Sequence, residues 1–404
     1  MIESTSHLQR FQSGLLLFAA ALAGFAIPIS TAAQNIGGGL LLIAFLLNPR
    51  ALQFNKQIFF QPFAIAGLLL AAALVLGTLW TSVSQSEAWG FILKMRAYYL
   101  IPIFLCLFFG TKVRNALLIG FACGALLSVS AAFVSYLFEY PMRVGVPGDW
   151  AVFRTHTYHN YFASLLAVGL LAGLLNGKFF GWQKNLAWIV FVFVTHNILF
   201  VVPGRTGQLI FLMMLGFLLV LWRWRIGLTL GLTIVLAAAL VLPQYSSAVK
   251  LGIAKAQTDM QEYSKGNTDT SIGLRLIWLK DTQQMILAKP WTGYGTGSFK
   301  QEYSRYSGVT SGLRATSNPH NDYIWLTIEL GVIGAALLLG LLGAAAWQGR
   351  HLQPAWRSSL YVMLMGMGVA TFANSFFTDN ITGLGFVLLT CAMLNGPKKD
   401  ELSA

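Results

Sequence analysis

Apolar runs of membrane-spanning length recur along almost the whole chain, and that recurrence decides the solvent in which it folds. A spanning helix needs about 20 mostly apolar residues. Such runs lie at 13–31, 34–49, 58–82, 95–110, 115–138, 160–177, 183–202, 207–222, 226–243, 321–346, 356–377 and 382–396. Lipid offers no partner to a bare N–H or C=O, so they must be helices or strands of a closed barrel. The short alternating segments of a barrel do not occur. The expected fold class is therefore all-α, a polytopic membrane protein with about twelve transmembrane helices. Composition agrees: only 10% of the 404 residues are charged and the mean hydropathy is +0.64, whereas soluble domains carry about 25% charge. A soluble enzyme and a disordered chain are excluded. Cys106, Cys123 and Cys391 all lie in apolar runs, so neither a metal site nor a disulfide framework is expected.

Lys and Arg set the orientation, because they gather on cytoplasmic loops. With both termini inside, the inner segments hold Arg10, Arg50 and Lys56, Lys112 and Arg114, Lys178 and Lys184, Arg223 and Arg225, Arg350 and Arg357, and Lys398 and Lys399. The short outer loops hold only Lys94, Arg96, Arg143, Arg154 and Arg205. The net charge of +13 is thus mostly a cytoplasmic-face charge, and nucleic acid is not an expected partner. The longest polar segment, 244–319, carries amphipathic patterns at 249–264 and 272–288, the second ended by Pro290. The expected domains are 1–243 with membrane helices 1–9, 244–319 as a large outer loop with short helices, and 320–404 with helices 10–12.

Three clusters carry residues suited to chemistry. SNPHNDYIWLTIELGVIG, Ser317 to Gly334, sets His320 and Asn321 where the outer segment becomes the tenth helix. A neutral imidazole, with an unperturbed pKa of about 6.5, can take a proton from a hydroxyl near working pH. A capping Asn beside a bystander His is the alternative. VVPGRTGQ, Val201 to Gln208, breaks the chain at Pro203 and Gly204 and sets Arg205 on an outer turn. Its planar fork suits two phosphate oxygens; snorkelling to headgroups is the alternative. In SIGLRLIWLKDTQQMILAKPWTGYGTGSF, Ser271 to Phe299, Arg275 lies on an amphipathic helix that can dock and aim it inward. The glycines that follow, Gly293, Gly295 and Gly297, read as a structural turn and not as a nucleotide fingerprint. RTHTYHNY adds Arg154, His156 and His159 at the mouth of the sixth helix. Arg143 is a further outer cation, and Asp379 is placed to orient a His or pair with an Arg. No Asp-x-Asp motif occurs, which disfavours a metal-dependent sugar-nucleotide transferase.

Taken in order, PGRTG, GLRLIW, PWTGYGTGSF and PHNDYIWLTIELGVIG resemble the O-antigen ligase/polymerase family, with HNY at His159–Tyr161 as a feature of the earlier half. The resemblance implies a glycosyltransferase C-like enzyme of the bacterial inner membrane, its site facing the periplasm, with no metal or other cofactor. It implies a glycan on undecaprenyl pyrophosphate as donor and a hydroxyl of lipid A–core as acceptor, both met among membrane lipids. In those terms His320 is the general base and Arg205 and Arg275 bind the pyrophosphate. Asn321, Asp379, His159, Arg154 and Arg143 support them. The protein oligosaccharyltransferases of the family are usually longer at the C-terminus, which favours a ligase; an O-antigen or exopolysaccharide polymerase is the alternative. A flippase or transporter of lipid-linked sugars belongs to a different class. Charges gathered on one face, and not at mid-membrane, disfavour it.

Overall fold

The computed structural model describes residues 7–47, 56–142, 148–310 and 316–399, and among them the regular elements are helices, with no strand. The first set comprises α1 (His7–Ala26), α2 (Thr31–Leu46), α3 (Pro62–Leu76), α4 (Gln85–Lys94), α5 (Arg96–Tyr99), α6 (Ile101–Leu107) and α7 (Thr111–Leu137). Next come α8 (His156–Leu175), α9 (Trp182–His196), α10 (Arg205–Trp222) and α11 (Trp224–Tyr245). The long polar connection carries α12 (Ser247–Ser264), α13 (Ser271–Ala288) and α14 (Phe299–Thr310). The chain closes with α15 (Asp322–Leu330), α16 (Val332–Gln348), α17 (Pro354–Ala373) and α18 (Asn380–Leu394). Seven helical segments among the described residues are long and apolar enough to cross a membrane. The protein is an all-α polytopic membrane protein.

Over their described residues the twelve apolar runs fall on helices, but those at 95–110 and 321–346 are broken. The run at 95–110 is broken into α5 and α6, continuing from α4. At Met95 and Leu100 the backbone leaves the helical region, with φ, ψ of −85°, 8° and −87°, 0°, and Pro102 opens α6 without an N–H to donate. The run at 321–346 breaks at Gly331, whose φ of 68° suits glycine. A Cβ there would stand 2.1 Å from the Trp291 carbonyl oxygen.

Small residues let the helices approach, as is usual where hydrophobic contrast with the surroundings is lost. A Cβ on Gly120 of α7 would stand 2.2 Å from Ala21 O of α1, so these helices touch backbone to backbone. At the centre α8 packs among α9, α10 and α17, while α11 leaves Leu228, Leu232, Leu236 and Leu240 exposed, an apolar face for lipid.

The long connection is pinned to the bundle by its glycine turn. Tyr294 N donates to Ile328 O at 2.8 Å, Gly295 N to Glu329 O at 2.9 Å and Thr296 N to Gly77 O at 3.1 Å. The buried Glu329 carboxylate accepts from Gly297 N, from Phe299 N at 3.2 Å and from Trp325 Nε1 at 3.1 Å. The turn therefore fills the break between α15 and α16 and holds α13 over the bundle.

Candidate active site

His320 stands in an unusual backbone. Its φ is +52°, a left-handed conformation that costs a non-glycine residue about 1–3 kcal/mol and concentrates at functional sites. Asn318 Oδ1 compensates by accepting from His320 N at 2.8 Å and from Ser375 Oγ at 2.5 Å. Asn321 caps α15, its side chain accepting from Ile324 N at 3.2 Å, so one residue ends the loop and starts the helix.

The imidazole is fixed from two sides. Trp278 of α13 stacks on it, with ring centroids 5.0 Å apart and planes 19° apart. His320 Nδ1 lies 2.7 Å from Asn374 Oδ1, which also accepts from Ser375 N at 2.9 Å. An oxygen that accepts from a backbone N–H is the carbonyl end of the amide, so Nδ1 carries the proton and donates. Nε2 is then the basic nitrogen. Burial lowers the His320 pKa from its ordinary value, the Asn374 bond raises it and the charge of Arg275 lowers it again; the net effect favours the neutral ring.

Arg205 is the first residue of α10, set by the break at Pro203–Gly204. The earlier HNY motif builds the seat of that turn. Asn160 Nδ2 donates to Val202 O at 3.3 Å, and a Cβ on Gly207 would stand 2.4 Å from the Asn160 Cβ. His159 is buried between Ser128 Oγ at 3.0 Å and Asn197 Oδ1 at 2.8 Å. Asn197 begins the π-helical turn Asn197–Val201 that leads into the break. His159 thus ties α7, α8 and the end of α9 together beneath Arg205, with interhelical bonds worth about 0.6–2 kcal/mol each.

The two arginines meet across the long connection. Arg205 Nη2 lies 3.6 Å from Asp259 Oδ2 of α12, a buried carboxylate. Arg275 lies on α13 one turn before Trp278, so the helix presents the guanidinium and the stacking ring on neighbouring positions. Enclosure by its surroundings, then the charge of Arg205, lower the Arg275 pKa, and Asp259 opposes them. The residue still keeps an exposed surface. Arg275 is thereby within electrostatic reach of both Arg205 and His320, residues far apart in the chain, and Asp259 is a counter-charge to both arginines.

The remaining candidates lie elsewhere. Arg154 is buried, donating to Thr31 Oγ1 and to Ile27 O at 3.1 Å, which ties it to the corner between α1 and α2. Asp379 caps α18 through Ile381 N at 2.9 Å and accepts from Tyr158 Oη at 2.5 Å. It contributes a raising charge to Arg154 and makes no hydrogen bond to a histidine among the described residues. Arg143 and Arg50 lie outside the described residues. His156 Nδ1 lies 3.0 Å from Asp149 Oδ2, a carboxylate of the loop before α8. Among the described residues no group of three or more His, Cys, Asp and Glu is disposed to hold a metal ion.

Sequence reasoning missed Asn374, Trp278 and Asp259. Asn374 ends α17 in the polar stretch NSFFTDN, and polar residues between two apolar runs were the available signal. Buried Asp322 locks that stretch in place, accepting from Phe377 N at 2.6 Å and Thr378 Oγ1 at 2.5 Å.

Residues 189–339, from α9 into α16, match the family model described as O-antigen ligase. The match spans Arg205, Arg275 and His320. No curated protein matches the sequence.

Proposed function

Because the chain carries an O-antigen ligase family domain, we propose that it transfers a glycan from undecaprenyl pyrophosphate to a hydroxyl of lipid A–core, without a metal and with inversion at the anomeric carbon. The observation that carries this reading is His320, whose tautomer Asn374 fixes so that Nε2 is the basic nitrogen, with no hydrogen-bond partner among the described residues, near Arg275, which in turn neighbours Arg205.

Arg205 and Arg275 bind the pyrophosphate and stabilise the negative charge that develops as the anomeric C–O bond breaks. His320 Nε2 takes the acceptor hydroxyl's proton as that oxygen forms the new bond to the anomeric carbon. Undecaprenyl pyrophosphate departs with the electron pair of the broken bond, and the imidazolium later releases its proton to water. The bound donor also tunes the base. Its negative charge offsets Arg275, which otherwise lowers His320's affinity for a proton, so the ring becomes more basic when there is a substrate to attack. Asn374 and Trp278 act as positioning residues.

Purified protein reconstituted with lipid-linked glycan, with and without lipid A–core, tests the reading. Glycan joined to core is the expected product. Longer lipid-linked glycan formed without core would instead identify a polymerase, and no bond formation with either would remove the enzyme reading. His320→Ala should cost about 10²–10⁴-fold in transfer while leaving donor affinity largely intact. Arg205→Ala or Arg275→Ala should weaken donor binding as well, and Lys should rescue them only in part, since a point charge does not reproduce the fork.

A further inference from the structure

At the end of the bundle remote from His320, an apolar chamber of about 190 Å³ lies between α7, α8, α17 and α18, with Phe121, Leu166, Met363 and Met393 in its walls. Lys178 and Trp356 also line it. The Lys178 ammonium stands 4.4 Å from the centroid of the Trp356 ring, and the Arg114 guanidinium stands over the same ring at 5.0 Å. Beside them Phe180 and Trp182 are 74% and 72% exposed, the aromatic marking of a membrane–water interface.

Two features here suit one kind of ligand. A hydrocarbon chain in the chamber would gain dispersion contacts along its walls, whereas water would gain little there because the lining offers few polar partners. Arg114 is buried and donates to Asn395 O and to Asn115 Oδ1 at 3.3 Å, and burial first, then its positive charge, lowers the pKa of the exposed Lys178. One kind of molecule fits both the apolar chamber and the positive charge at its mouth: an amphiphile with an anionic head and a hydrocarbon tail. We propose that this is a binding site for an anionic phospholipid, with its phosphate held by Lys178 at Trp356, the buried Arg114 adding positive charge behind the same ring, and an acyl chain in the chamber. The loops concerned are those that the positive-inside bias assigns to the cytoplasmic leaflet, where anionic lipids are attracted by about 1 kcal/mol per Lys or Arg. The proposal does not rest on the transfer chemistry.

Native mass spectrometry of the detergent-purified full chain, offered equimolar dioleoyl phosphatidylglycerol and dioleoyl phosphatidylcholine, tests it. Two cations at that strength predict retention of phosphatidylglycerol over phosphatidylcholine by about tenfold or more. Lys178→Gln should erase most of that preference. Gly169 lines the chamber, and a Cβ built on it meets nothing within 4 Å, so Gly169→Leu should plug the chamber and reduce retention of both lipids. Excess inorganic phosphate should leave the lipid bound; displacement by phosphate would identify an anion site without a tail site and overturn the proposal. Equal retention of the two lipids by the unaltered protein, or unchanged retention in both variants, would overturn it too. Size-exclusion profiles confirm that each variant is folded, and Lys178→Gln alone decides the headgroup half should the bulkier variant fail.

Discussion

At His320 the neighbours that set the proton affinity act in opposite directions, so pH separates them. Arg275 lowers the pKa and Asn374 raises it. The neutral ring is the proposed active form, so the acidic limb of kcat/KM reports its protonation in the free enzyme. Arg275→Gln removes a positive charge, raises the His320 pKa and should move that limb to higher pH. Asn374→Ala should move it to lower pH and reduce kcat, because the ring loses its orientation. Limbs that stay in place or move together would assign the titration to another group. Asp259 is testable by the same logic. Asp259→Asn removes the shared counter-charge of Arg205 and Arg275, and should tighten binding of inorganic pyrophosphate about two- to fivefold, the scale of a part-exposed ion pair; calorimetry at two salt concentrations reads it. Weaker binding would show that Asp259 orients Arg205 more than it neutralises it. As candidates, His320 and Arg205 stand out in the sequence because each lies beside a helix end or a break, where polar groups in an apolar chain need a reason, and Arg275 because its amphipathic helix can dock and aim it inward. Asn374, Trp278 and Asp259 do not, since their role comes only from the packing of three separate elements against one ring and one guanidinium.

The helices themselves were largely legible, their interruptions less so. Hydropathy counts apolar residues and is blind to the path of the backbone, so the breaks at Met95 and Leu100 left no mark, and Gly331 looked like one more small residue in a long run. The glycine turn was read as structural, and its contacts with Ile328, Glu329 and Gly77 account for it. Gly331 joins that clamp at the break between α15 and α16, which sets the angle at which α15 carries His320. Gly331→Ala meets both a left-handed φ, costing about 1–2 kcal/mol, and a backbone oxygen at 2.1 Å that no side-chain rotation relieves. Its Tm should fall well below that of Gly340→Ala, a change in α16 where a Cβ meets nothing within 4 Å and the helix gains up to about 1 kcal/mol. Equal Tm values in the two variants would mean that the break is soft and the clamp dispensable.

Across the whole molecule, the paired basic residues of the short connections and the candidate site occupy opposite ends of the helices. Lys112, Arg114, Lys178, Lys184, Arg223, Arg225, Arg350 and Arg357 fall at or beside the start of α7 and the turns α8–α9, α10–α11 and α16–α17. The site is built instead from the starts of α10 and α15, the end of α17 and the α12–α13 connection. Since Lys and Arg near helix ends hold their loops in the cytoplasm, the site should face the periplasm, where donor and acceptor would both be presented. The side depends on parity: one helix more or fewer would reverse it, whereas a pair would not. Lys265 lies just past α12 with its side chain 70% exposed, and Lys184 lies exposed at the α8–α9 end. With Cys106, Cys123 and Cys391 replaced by Ala, single cysteines at these two positions report opposite faces. In spheroplasts a membrane-impermeant maleimide should label Lys265→Cys at once and Lys184→Cys only after lysis. The reverse order would move Arg205, Arg275 and His320 to the cytoplasmic leaflet, and the proposed donor and acceptor would fall together with the topology.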